Sequence, residues 1–86
     1  MKVSFFGSVQ QYTSGKESFE MEAALNIREL ISLLGEVFGS VFLEFLYGDK
    51  TCVILVNGKG IMTTGGLDTP LHAADSIEVL PFVDGG

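Results

Sequence analysis

Gly85 and Gly86, at the end of the segment Pro81-Phe82-Val83-Asp84, are the residues of this chain whose types and spacing can do chemistry. They offer a carboxylate on an arm whose tip carries no side chains. Glycine loses more backbone freedom on ordering than any other residue. A paired glycine at a terminus makes sense when that segment must stay extended and enter a narrow site on another protein. The opposing reading is a frayed polar tail, because chain ends are commonly disordered and tolerant of change. Pro81 holds its φ and biases Leu80 toward extended backbone, which aims the segment away from the body.

Other reactive side chains are sparse. Cys52 could carry sulfur as a persulfide, but it stands in the apolar run Thr51–Val56, where a buried and inert thiol is expected. His72 is the one histidine and has no second ligand at metal spacing, so it reads as a surface or capping residue. Glu20 and Glu22 share a strand face and read as a solvated edge. Lys59-Gly60 and Gly65-Gly66 lack the strand–loop–helix context of a phosphate loop. With no catalytic constellation, the chain is expected to be a substrate or subunit of enzymes rather than an enzyme.

At 86 residues there is room for one domain. A chain of this size buries roughly 60–65% of its unfolded surface, and a hydrophobic content of 47% supplies one modest core. No apolar run approaches the roughly 18–20 residues that span a bilayer, and no secretory signal is expected from the first residues. A single cysteine excludes an internal disulfide and fits a reducing cytoplasm. The net charge is −6, and the five Lys and Arg residues are nowhere adjacent. Nucleic acid and membrane are therefore not expected partners, whereas a basic protein partner is favoured.

Elements that would position the tail follow from periodicity. Lys2 to Gly7 alternates, with Val3 and Phe5 on one face and Ser4 and Phe6 on the other. Ser8 to Lys16 is polar with a turn at Ser14-Gly15, and Glu17 to Glu22 alternates again with Phe19 and Met21 inward. Asn26 is an N-cap with Glu29 three residues on. Ile27, Leu30, Ile31, Leu34, Val37 and Phe38 then fall at helical spacing until Gly39. Ser40 to Leu46 reads as a short second helix. Thr51 to Val56 reads as a strand, Asn57-Gly58 as a tight turn, and Lys59 to Thr64 as a short edge strand. Leu67 and Leu71 plug the core from a turn, and Ser76 to Leu80 is the last strand, with Ile77 and Val79 inward and Glu78 outward.

One helix across a small mixed sheet buries these faces. First and last strands would lie side by side in the middle, which is the ubiquitin-like β-grasp, an α+β fold with four to five strands. Residues 1–80 would form the domain and 81–86 the tail. Strand parity then puts Phe6, Leu80 and Phe82 on the open face of the sheet, as one apolar patch at the root of the tail.

The opening Lys2-Val3-Ser4-Phe5-Phe6-Gly7-Ser8-Val9, the hairpin Val56-Asn57-Gly58 and the order Leu67-Asp68-Thr69-Pro70-Leu71, Asp75, Ile77, Val79, Pro81 to Gly86 resemble the ThiS/MoaD family of sulfur carrier proteins. Ala74 and Phe82 stand where the family often has a glycine and a second proline. The helical segment Ser40 to Leu46 resembles the branch containing the small subunit of molybdopterin synthase, and archaeal ubiquitin-like modifiers share the same features. The resemblance implies that an adenylating enzyme uses ATP to activate the Gly86 carboxylate, with no cofactor bound permanently by the chain itself. Sulfur then replaces AMP, and the thiocarboxylate serves cofactor biosynthesis, that of the molybdenum cofactor first and thiamine or another transfer second. Leu80, Pro81, Phe82, Val83, Asp84, Gly85 and Phe6 would bind the partner, and the large subunit of molybdopterin synthase is a second expected partner. A protein modifier joined to lysines through Gly86, and a β-grasp adaptor using only its surface, remain the alternative expectations.

Overall fold

Alternation at the two chain-distant strands sets the architecture. The computed structural model describes residues 1–48 and 51–82. Strand β1 (Lys2–Phe5) buries Val3 and Phe5, and strand β5 (Ser76–Pro81) buries Ile77 and Val79 on the same side. The two run parallel, with Val3 opposite Ile77 and Phe5 opposite Val79. Strand β2 (Ser18–Glu20) pairs antiparallel with β1, and strand β3 (Cys52–Val56) antiparallel with β5. A two-residue β4 (Lys59–Gly60) completes the order β2-β1-β5-β3-β4. The helices pack on one face of this five-stranded mixed sheet, which is the β-grasp.

Helix α1 (Ile27–Phe38) begins where Asn26 Oδ1 accepts the N–H of Glu29 at 2.9 Å. The reciprocal bond of the expected capping box goes one residue further back, from the Leu25 N–H to Glu29 Oε1 at 3.0 Å. Ile27, Leu30, Ile31 and Leu34 are buried as expected, but Val37 is 52% exposed. Phe38 takes the inward position of the last turn, with its ring edge-on to Phe5, Phe19 and Phe42. That choice rotates Val37 to the rim. Gly39, at φ 109°, ends α1 and opens α2 (Ser40–Tyr47), which buries Phe42 and Leu46. The two helices approach closely at Gly35, where a Cβ would lie 2.9 Å from Leu43 Cδ1.

Two segments depart from the expectation. Ser8 to Lys16 is not simply a polar loop. Gly7–Tyr12 forms a 3₁₀ helix with Val9 fully buried and Tyr12 stacked on Phe45 at 4.5 Å and on Phe42 at 5.6 Å. Thr13 is also fully buried, because its hydroxyl donates to the Lys16 carbonyl at 2.8 Å and so closes the turn from inside. The expected edge strand over Lys59 to Thr64 stops at Gly60, and Ile61–Thr63 is a 3₁₀ turn instead. The threonine hydroxyls account for the break, since Thr63 Oγ1 donates to the Gly60 carbonyl at 2.8 Å and competes with strand pairing. The Asn57-Gly58 turn has positive φ at both residues, 52° and 84°, as a type I′ hairpin requires. A further 3₁₀ turn, Gly66–Asp68, leads to Leu71, which is buried, while Leu67 is half-buried against the core. Among the described residues no helix is long and apolar enough to cross a membrane.

Candidate functional site

The helices cover one face of the sheet, and among the described residues no element covers the other. On that open face strand parity places Ser4 and Phe6 from the first strand, Glu78 and Leu80 from the last, and Val53 and Leu55 from β3. Val53 stands opposite Leu80 and Leu55 opposite Glu78. The Phe6 N–H donates to the Val79 carbonyl at 3.0 Å, which carries the parallel pairing one residue past β1 and sets Phe6 beside Leu80. Phe6, Leu80 and Val53 therefore form one row across three strands. Phe6 is 42% exposed, Phe82 39% and Val53 37%. Lys2, Ser4, Ser18, Glu20 and Ser76 occupy the opposite half of the open face. The face is thus divided, with its apolar half at the end where β5 leaves the sheet.

Two features hold that exit. Pro81 ends β5 opposite Cys52, on the helix side rather than within the apolar row. Its nitrogen would face β1 beyond the last register pair, where no strand continues, so the missing N–H costs no sheet bond. There the chain pivots at Gly7, φ 56°, and a Cβ on Gly7 would meet Pro81 Cγ at 3.4 Å. Beyond Pro81, the Phe82 N–H donates to the Thr51 carbonyl at 3.2 Å and keeps the chain on the sheet axis for one more residue. Of the expected site residues, Phe6, Leu80, Pro81 and Phe82 are thus placed, and Val83, Asp84, Gly85 and Gly86 lie outside the described residues.

Val53, Leu55 and Glu78 were not among the expected site residues. The run Cys52-Val53-Ile54-Leu55-Val56 is apolar on both faces, so its pattern does not show which side chains look outward. Glu78 reads as an ordinary solvent-facing position until the register sets it between Ser4 and Leu55.

The reactive side chains elsewhere sit as structural groups. Cys52 lines an apolar groove of about 410 Å³ with Leu46, Ile54, Ile61 and Leu67, and Val53 and Phe82 line the same groove where it meets the apolar row. Burial pushes the Cys52 pKa up, against a smaller opposing hydrogen bond from Thr51, so it is a poor thiolate. His72 is 78% exposed at its side chain, with Nδ1 3.7 Å from Asp75 Oδ2. Asp75 accepts from Asn57 Nδ2 at 2.9 Å and from the His72 N–H at 2.8 Å, and these bonds hold its carboxyl below the usual carboxylate value. Among the described residues no three His, Cys, Asp or Glu side chains are grouped to hold a metal.

The pattern of the ThiS family matches residues 3–86. A protein of Archaeoglobus fulgidus assigned as a sulfur carrier is 30% identical over 66 residues, covering 72% of this chain and 75% of its own. A chain of the complex between subunits 1 and 2 of the molybdopterin-converting factor from Helicobacter pylori is 33% identical, with a TM-score of 0.66 and coverage of 99% and 96% of the two chains. CysO of Mycobacterium tuberculosis shares the fold at a TM-score of 0.81 and 23% identity, over 95% of this chain and 98% of its own.

Proposed function

We propose that this chain, which belongs to the ThiS family, carries sulfur as a thiocarboxylate on Gly86 after activation by an ATP-dependent adenylating enzyme. The observation that carries this reading is that the apolar half of the open sheet face adjoins the exit of the C-terminal segment. The family match also runs through Gly86.

A carboxylate is a poor electrophile. Attack of its oxygen on the α-phosphate of ATP expels pyrophosphate and leaves an acyl-adenylate, whose AMP is a good leaving group. A sulfur nucleophile then attacks the acyl carbon and expels AMP. The resulting thiocarboxylate is ionised at neutral pH, and its sulfur attacks the acceptor as a thiolate would. Hydrolysis at the acyl carbon restores the carboxylate. The chain supplies the reacting atom and the means of delivering it, and the enzyme supplies ATP binding and the catalytic groups.

Magnitudes explain why a folded body is needed behind the arm. Ordering four residues in a narrow site costs on the order of 4–8 kcal/mol of backbone entropy. At about 25 cal/mol per Å², offsetting that requires roughly 160–320 Å² of apolar surface removed from water, shared between the two partners. In this reading Phe6, Leu80, Val53 and Phe82 would supply this chain's share.

For the acceptor, the Helicobacter pylori relative is a subunit of a molybdopterin-converting factor, which favours the large subunit of molybdopterin synthase and the molybdenum cofactor. The reading puts the protein in the cytoplasm, where ATP is available.

The test is incubation of the purified chain with the adenylating enzyme of its own organism, ATP and a sulfide source. Release of pyrophosphate and a mass gain of one oxygen-for-sulfur exchange at Gly86 are expected, and both are lost when Gly86 is deleted. A chain that stimulates no pyrophosphate release overturns the proposal. Conjugates on lysines of other proteins in place of the sulfur exchange would make it a protein modifier instead.

A further inference from the structure

We infer that Glu78 is the charge-recognition element of the open sheet face, and that the partner docking there presents an arginine inside an otherwise apolar contact. This deepens the carrier proposal and rests on it, because the adenylating enzyme is the partner concerned.

Glu78 stands at the middle of the sheet, on its central strand. Ser4 is its neighbour on one side and Leu55 on the other. Leu80 follows it two residues along the same face, and Phe6 lies diagonally beyond Ser4. Among the described residues Glu78 takes part in no ion pair; the two present are Arg28 with Asp68 and His72 with Asp75. The basic side chain on the same face, Lys2, stands diagonally from Glu78 on the polar side, opposite Glu20 on β2 and Ser76 on β5, and forms no ion pair with Glu78. A carboxylate thus sits, partly buried, at the border of the apolar row.

That placement constrains what can cover the row. A wholly apolar partner laid over Phe6, Leu80, Val53 and Leu55 would strip water from Glu78 and leave its charge unpaired, which opposes the gain from apolar burial. A partner that brings a cation to this point avoids the loss. Arginine fits better than lysine. Its planar guanidinium meets a carboxylate with two parallel hydrogen bonds, is more weakly hydrated and so easier to desolvate, and can lie flat on the Phe6 ring. A partner without that cation is disfavoured, so one residue contributes both attraction and discrimination.

The experiment measures binding of the full chain to the organism's own adenylating enzyme by surface plasmon resonance across a salt series, with ATP-dependent pyrophosphate release as the second readout. Glu78→Gln keeps the shape and removes the charge, Glu78→Lys reverses it, and Glu36→Gln removes one equal charge from the exposed outer side of α1. Glu78→Gln is expected to weaken affinity about tenfold, mainly through faster dissociation, and Glu78→Lys about a hundredfold. Glu36→Gln should stay within about twofold, since a remote charge affects association more than residence. The wild-type salt dependence should flatten in Glu78→Gln. Circular dichroism of each variant confirms the fold. Wild-type affinity in Glu78→Gln, or an equal loss in Glu36→Gln, overturns the inference while pyrophosphate release leaves the carrier reading intact. A wild-type chain that elicits no pyrophosphate release overturns both.

Discussion

Gly7 faces Pro81 so closely that a Cβ on Gly7 would lie in van der Waals contact with Pro81 Cγ at 3.4 Å, and its backbone φ is 56°. The end of the first strand and the end of the last are therefore fitted to each other at the point where the C-terminal segment departs. Gly7→Ala fits against the proline ring in ordinary van der Waals contact but must adopt the left-handed backbone, which is the source of its cost. It is expected to cost about 1–2 kcal/mol, read as a fall of roughly 4–15 °C in the thermal unfolding midpoint for a chain of this size.

The helix pair has its own tight contact. A Cβ on Gly35 would stand 2.9 Å from Leu43 Cδ1 and 3.1 Å from Leu43 Cβ. The second of these cannot be relieved by a rotamer change. Alanine gains about 1 kcal/mol of helix propensity over glycine, which partly offsets the clash. Gly35→Val has no such relief and is expected to destabilise by about 2–3 kcal/mol in urea titration. Combining it with Leu43→Ala should recover part of the loss, with the coupling expected of touching residues.

Asp75 ties the hairpin turn at Asn57 to the loop before the last strand. Its carboxyl is held low chiefly by the Asn57 side chain and then by the His72 N–H. A folded-state pKa below the ordinary value of 3.8 means that this stabilisation is present above 3.8 and is lost as pH falls through the lower folded value. Asp75→Ala should therefore cost about 1 kcal/mol at pH 7. The gap between variant and wild type should narrow as pH falls below 3.8, as followed by urea midpoints across pH; a constant gap counts against the charged hydrogen bonds as its source.

The apolar row predicts a separation of docking from folding. Phe6→Ala and Leu80→Ala remove side chains on the uncovered face, so the unfolding midpoint should move little. Affinity for the adenylating enzyme should drop by about 1–3 kcal/mol each, roughly tenfold or more. Calorimetric binding beside thermal unfolding checks both halves at once, and a collapsed fold with either variant is the contrary result.

How far the sequence could be read depended on whether a pattern had one solution. Val3 and Phe5 against Ser4 and Phe6 admit one inward face, because a strand repeats every two residues. Asn26 with Glu29, and Asn57 followed by Gly58, each bring a local hydrogen bond or a positive φ that few other structures satisfy. Val9 and Thr13 were illegible: two inward residues in a polar stretch make no period, and only the aromatic stack of Tyr12 on Phe45 and Phe42 gives them a place. Thr63 and Thr64 carry good strand propensity, yet their hydroxyls bond carbonyls three residues back and break the strand. Val53 and Glu78 needed the sheet register, since their significance lies in neighbours about 27 residues or more away in the chain for one and across two strands for the other.

The central place of β5 also has a bearing on synthesis. A nascent polypeptide that has emerged only through Leu71 contains β1 and β3 but not the strand that lies between them. Neither can complete its ladder, and the pairing of β1 with β5 spans most of the chain, a topology that folds late because distant segments must first meet. Prematurely terminated products consequently lack the completed sheet, and with it the open face to which the proposed partner would bind.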